Sequence, residues 1–242
     1  MNKLLQLFKQ NQARKPAPVR AAAEDDKLYV YDVIGGDWYG GVSAKDFIAD
    51  LQAIQADTVH LHINSPGGDV FEARAMCQAI KSSGKKVIAH VDGLAASAAS
   101  YLALAADEVE IADGAFFMIH NAWTLAYGNR HDMRQSADVL EKIDNSIAAD
   151  YVAKTGADID KVRAWMDAET WFTADESVAE GFADRKAEGK SAKASNGAWN
   201  LNAYEHAPAA LIAAPTHDSA LEPTIDRAAL ERRVALLQRI AP

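Results

Sequence analysis

Three times between Leu28 and Ala106 the chain runs a short β-rich segment into a turn and then into a helical apolar stripe, and this repeat narrows the possible folds more than any other feature. In the first unit Leu28–Ile34 is closed by Gly35 and Gly36. Ser43–Ile54 follows, with Ser43 and Asp46 at capping-box spacing ahead of Phe47, Ile48, Leu51 and Ile54. In the second, Val59, Leu61 and Ile63 alternate with His60 and His62, Ser65-Pro66-Gly67-Gly68 turns the chain, and Val70, Ala73, Cys77 and Ile80 form one stripe. The third unit predicts a strand over Lys86–Val91, a turn at Asp92–Gly93 and a small-residue helix near Ser97–Ala106. Short strands are expected at Glu108–Ile111 and Ala115–Ile119. A long helix over Arg130–Lys154 follows from Leu140, Ile143, Ile147 and Tyr151 and is ended by Thr155-Gly156. Strands alternating with helices imply an α/β fold with parallel strands joined by helical crossovers, whose chemistry sits in the loops at the strand ends.

Composition sets the domain limits. Of 242 residues, 49% are apolar and 24% charged, enough for one buried core with tails. Residues 1–26 read as a flexible amino-terminal arm, 27–185 as the folded domain, and 186–242 as a low-complexity extension with a short helix over Ile225–Ile240. The net charge of −9 opposes binding to nucleic acid or to an anionic membrane. The single cysteine, Cys77, excludes an internal disulfide and lies on its helix's apolar stripe, as a buried thiol would. The apolar cluster in residues 1–15 is too short for a signal core, and Gly93–Ala106 is too short to span a membrane, so a cytoplasmic location is expected.

Chemistry is expected where the strands end. Ser97, in Gly93-Leu94-Ala95-Ala96-Ser97-Ala98-Ala99, lies at a strand-to-helix junction among residues too small to shield its hydroxyl, and the helix start offers N–H groups to a developing oxyanion. The paired glycines Gly67 and Gly68 let backbone approach a substrate closely and could supply further amides. His120, ending the apolar run Phe116-Phe117-Met118-Ile119, is placed to act as a base, and Asp167 or Glu169 could orient its ring. His60 and His62 share a strand face, but no cysteine or carboxylate cluster accompanies them, so no metal site is assigned. Trp165, Trp171 and Phe172 read as core.

The ordered segments Leu61-His62-Ile63-Asn64-Ser65-Pro66-Gly67-Gly68, Gly93-Leu94-Ala95-Ala96-Ser97-Ala98-Ala99 and Met118-Ile119-His120-Asn121 resemble the proteolytic subunit of Clp protease. They are most similar to the ClpP-like peptidases that phages and prophages encode for capsid maturation. The resemblance covers Lys27–Asp184 and implies a ClpP/crotonase-like fold with a long protruding helix, and a serine endopeptidase without metal or organic cofactor. It implies that Ser97 is the nucleophile, His120 the base, and Gly68 and Ala98 the oxyanion-hole amides, with Gly67 beside the substrate. The register of Trp171-Phe172-Thr173-Ala174 puts Glu169 in the third position, where the Clp subunit usually carries aspartate, and Asp167 stays open as a substitute. The resemblance also implies stacked homo-oligomeric rings enclosing the sites, protein or peptide substrates, and either a Clp-type ATPase or phage capsid and scaffold proteins as partners. Two other readings are a capsid scaffold with a vestigial site and an acyl-CoA enzyme on the same fold.

Overall fold

The computed structural model describes residues 11, 26–35, 41–187, 199–209 and 211. Strand β1 (Lys27–Val30) leads to helix α1 (Ala44–Ala53), β2 (Thr58–Ser65) to α2 (Val70–Ser82), and β3 (Lys86–Ala96) to α3 (Ala98–Ala103). There follow β4 (Glu108–Ile111), β5 (Phe116–Ile119), α4 (Arg130–Thr155), α5 (Ile159–Asp167), β6 (Thr170–Thr173), α6 (Ala174–Ala179) and β7 (Arg185–Lys186). The α/β class read from the repeat is the observed one. The terminal helix expected over Ile225–Ile240 lies outside the described residues.

Strands β1, β2, β3, β4 and β7 run parallel in that order. Strand β3 carries more: Ile88–Val91 pair with β4, and Leu94–Ala96 pair with β5, also parallel. Strand β6 then adds antiparallel to β5. The turn expected at Asp92–Gly93 is therefore not a turn, because β3 passes through it. A Cβ on Gly93 would come within 3.0 Å of the Asn64 side chain, so glycine here admits a neighbouring strand and does not bend its own.

Each helix begins where its sequence stops it from being a strand. Ser43 caps α1 by accepting from the Asp46 amide at 3.1 Å and donating to the Asp46 carboxylate at 2.9 Å. Asp69 caps α2 with bonds to the Phe71 and Glu72 amides. Gly156 closes α4 in the left-handed conformation at φ 69°. Val59, Leu61 and Ile63 of β2 and Val87, Ala89 and Val91 of β3 face the buried stripes of α1 and α2. Cys77 is buried there and its thiol is pushed up to about 12 by desolvation.

Helix α4 is anchored only by its last turns, through Ile147, Ala148 and Tyr151, while Met133 and Val139 stand in solvent. Its 26 residues make a rod about 39 Å long at 1.5 Å per residue. Below its anchored end, Phe182 meets Phe172 at 4.8 Å, Phe117 at 5.1 Å and Trp165 at 5.7 Å between ring centroids. Phe172 is core as expected, and Trp165 packs on the core from its edge. Among the described residues no helix is long and apolar enough to cross a membrane.

Phe182 is fully buried and joins β5, β6, α4 and α5, so Phe182→Ala should leave a cavity and lower unfolding stability by about 3–5 kcal/mol in urea titration.

Candidate active site

Parallel strands present all their carboxyl ends at one edge. At that edge Ser65 of β2 lies beside Ala95 of β3, and Ala96 of β3 beside Met118 of β5. The residues that follow are Gly67 and Gly68, Ser97, and His120, so segments far apart in sequence meet at one point. The Ser97 hydroxyl and His120 Nε2 are 2.7 Å apart. For the hydroxyl to donate across this bond, the ring must be neutral with its proton on Nδ1.

Ser97 holds a left-handed backbone, φ 54° and ψ −123°, which costs a residue with a Cβ about 1–3 kcal/mol. Both sides of the residue are tied down. Its amide donates to the Met118 carbonyl at 2.9 Å, and its carbonyl accepts from the Ser100 amide at 2.9 Å and the Ser100 hydroxyl at 2.6 Å. Ser100 is in turn 2.8 Å from the buried Tyr151 hydroxyl, which links the junction to α4.

The glycine turn lies directly against this junction. A Cβ on Gly67, at φ 88°, would sit 2.5 Å from the Ala96 carbonyl oxygen and 2.8 Å from the Ser97 Cβ. The turn is held by the Ser65 hydroxyl, which accepts from the Gly67 amide at 3.1 Å and donates to the Asp32 carbonyl at 2.6 Å. Ile34 adds a clamp, donating to the Gly67 carbonyl and accepting from the Asp69 amide. Among the described hydrogen bonds the amides of Gly68 and Ala98 have no acceptor.

The antiparallel strand delivers its amino end to the same edge. Ile119 pairs with Thr170, so continuing the β5–β6 register sets Glu169 opposite His120. Asp167 sits two positions earlier and accepts from the Asn121 amide group at 2.7 Å. Glu169, at φ 48°, accepts from Trp171 Nε1 at 3.3 Å and from the amides of Glu205 at 3.0 Å and His206 at 2.7 Å. Asp144, whose carboxyl burial raises above its usual range, accepts from the Ala122 amide at 2.6 Å and pins the loop after His120 to α4.

The Glu205 and His206 contacts reveal what the sequence reading missed. The extension beyond 185, expected to be linker, packs Trp199, Leu201, Ala203 and Tyr204 with Val33, Leu94, Ala96 and Met118 into a second buried cluster. The Tyr204 hydroxyl donates to the Pro66 carbonyl. The Tyr204 ring stands edge-on to His120 at 5.5 Å and stacks on Trp123 at 5.4 Å, and Trp171 meets the same ring edge-on at 5.7 Å. The available signal was alternation: Trp199, Leu201 and Ala203 fall on every second residue in otherwise low-complexity sequence.

Behind Ser97 and His120 a small cleft is lined by Val70, Ala73, Tyr101, Ile147 and Tyr151. The histidines of β2 lie elsewhere, on the sheet face away from the helices. His60 bonds His90 at 2.8 Å and His62 bonds Asp92 at 2.8 Å, and no group of three or more His, Cys, Asp or Glu able to hold a metal ion occurs among the described residues.

The Clp protease family model matches residues 27–189. ATP-dependent Clp protease proteolytic subunit 1 of Leifsonia xyli is 27% identical over 148 residues, covering 59% of this chain and 75% of that protein. Proteolytic subunit 3 of Rhodococcus jostii is 30% identical over 128 residues, covering 52% of this chain and 63% of that protein. A mutant of ClpP1 from Listeria monocytogenes has a similar fold, with a TM-score of 0.60 at 20% identity, over 68% of this chain and 92% of that one.

Because Gly67 has no room for a Cβ, Gly67→Ala should push the turn off Ser97 and slow reaction of the Ser97 hydroxyl with a fluorophosphonate by about tenfold or more, measured by gel fluorescence.

Proposed function

The chain belongs to the Clp protease family, and from that premise we propose that it is a serine endopeptidase with Ser97 as nucleophile and His120 as general base. The observation that carries the reading is the 2.7 Å contact between Ser97 Oγ and His120 Nε2 at the ends of adjoining strands. His120 takes the hydroxyl proton as Oγ attacks the peptide carbonyl. The oxyanion then lies between the amides of Gly68 and Ala98, which have no acceptor of their own among the described bonds. His120 returns the proton to the leaving amine, and water, activated by the same ring, releases the acyl group. The reaction needs no metal or organic cofactor.

Glu169 is the orienting carboxylate in this reading. The β5–β6 register, continued by one residue, supports this by bringing Glu169 and not Asp167 opposite His120. The exposed half of α4, with Leu125 and Tyr127 just before it and Met133 and Val139 on it, supports assembly into stacked rings that enclose the sites. Within such a chamber the substrates are unfolded polypeptides, delivered by a Clp-type ATPase, or scaffold and capsid proteins if a phage encodes the chain. Neighbouring unfoldase genes mark the first setting, and portal and capsid genes the second. An acyl-CoA enzyme on the same fold would have no use for the serine–imidazole pair, and a vestigial site would not need Ser97 held in a strained conformation.

Ser97→Ala should abolish both peptide hydrolysis and fluorophosphonate labelling without changing the circular dichroism spectrum, and labelling retained at another residue would overturn the assignment. Glu169→Gln should lower kcat/KM on a peptide substrate by about a hundredfold or more, and Asp167→Asn by less than about threefold. The reverse order would move the third role to Asp167. Native mass spectrometry should show a ring, and a fully active monomer would exclude the chamber.

A further inference from the structure

A serine peptidase needs three things free at Ser97: the hydroxyl, the oxyanion amides, and backbone along which a substrate can lie. The described part of the carboxy-terminal extension lies on the last of these. The Tyr204 hydroxyl donates to the Pro66 carbonyl, at the turn that forms the wall of the site, and its ring stands edge-on to His120 at 5.5 Å. The next two amides, of Glu205 and His206, take both oxygens of Glu169.

The segment is seated by contacts that have no part in chemistry. Leu201 is fully buried, Trp199 Nε1 donates to the Asn64 side chain at 3.2 Å, and Asn200 exchanges two bonds with Asn11, at 2.9 and 3.2 Å. These cover the face of β3 and β5 that carries Leu94, Ala96 and Met118. The group presented at the site is a phenol and not a peptide carbonyl. With no acyl carbon there, the segment is not cleaved through that contact, so it covers the approach to His120 and the glycine turn without being consumed.

We propose that residues 199–206 are a built-in cap that holds the peptidase latent in cis, and that activity appears when the segment is lifted from its seat. This rests on the serine-peptidase reading above. The closed and open arrangements are two states of one chain, and a probe of Ser97 reads the open fraction.

The test is the rate of fluorophosphonate labelling at Ser97, located by peptide mapping, in the full chain and in full-length variants. Tyr204→Ala removes the blocking group, and Leu201→Asp unseats the segment while keeping the phenol. Both should label faster than the unsubstituted chain, on the order of tenfold or more. Tyr204→Phe keeps the ring packing and removes the hydroxyl, and it should also label faster, which keeps the test decisive if the other substitutions disturb folding. Equal rates in the unsubstituted chain and in folded variants would overturn the cap and leave the peptidase reading intact. Absence of labelling in every folded form would overturn the peptidase reading and the cap with it.

Discussion

The architecture of the site depends on one strand being long enough to belong to two sets of neighbours. Strand β3 gives its first half to β2 and β4 and its second to β2 and β5, and Gly93 lies between the halves. Were the chain to turn at Gly93, Ser97 would end beside β4, away from His120. By continuing, it brings the end of β3 between the glycine turn and the end of β5. The backbone ladder therefore sets the Ser97–His120 distance, and ladder spacing is among the least adjustable lengths in a protein.

The same ladder holds the strain at Ser97. A left-handed serine would relax if either flank could move, but its amide is bonded across to Met118 and its carbonyl to Ser100. Gly67 fills the remaining space so closely that no side chain fits there. Strain, close approach and free amides thus share one cause: two backbone segments packed without side chains between them. A small cleft opens on the other side, where small residues of α2 and α3 leave room beneath Tyr101 and Tyr151.

Much of this was legible because the relevant segments are local. Strand alternation at Val59, Leu61 and Ile63, the Ser43 cap and the left-handed Gly156 are written in short windows, and the structure follows them. Ser97 and His120 could be singled out because each directly follows an apolar strand. Asp92–Gly93 misled because glycine marks both turns and close strand contacts, and only the partner Asn64, distant in sequence, separates the two. Trp171, read as core, lies at the site against Tyr204, and Tyr204 itself was invisible because its partners Pro66, His120 and Trp123 are supplied by the fold. Composition made the extension look like linker. A few alternating apolar residues were enough to bury it, since an open sheet face was waiting for them.

The antiparallel pairing, the lone one among the described residues, has a consequence for how the chain tolerates insertions and deletions. At a parallel strand's carboxyl end, position is counted forward from the strand, whereas for β6 it is counted backward, so the residue facing His120 is whichever one precedes Thr170. Insertions within α5 or earlier leave that residue unchanged. Loss of Ala168 and Glu169 together would bring Asp167 to the facing position with every β5–β6 pair intact. The identity of the facing acid is thus separable from the strand pairing, and loop length before Thr170 alone selects which acid faces His120.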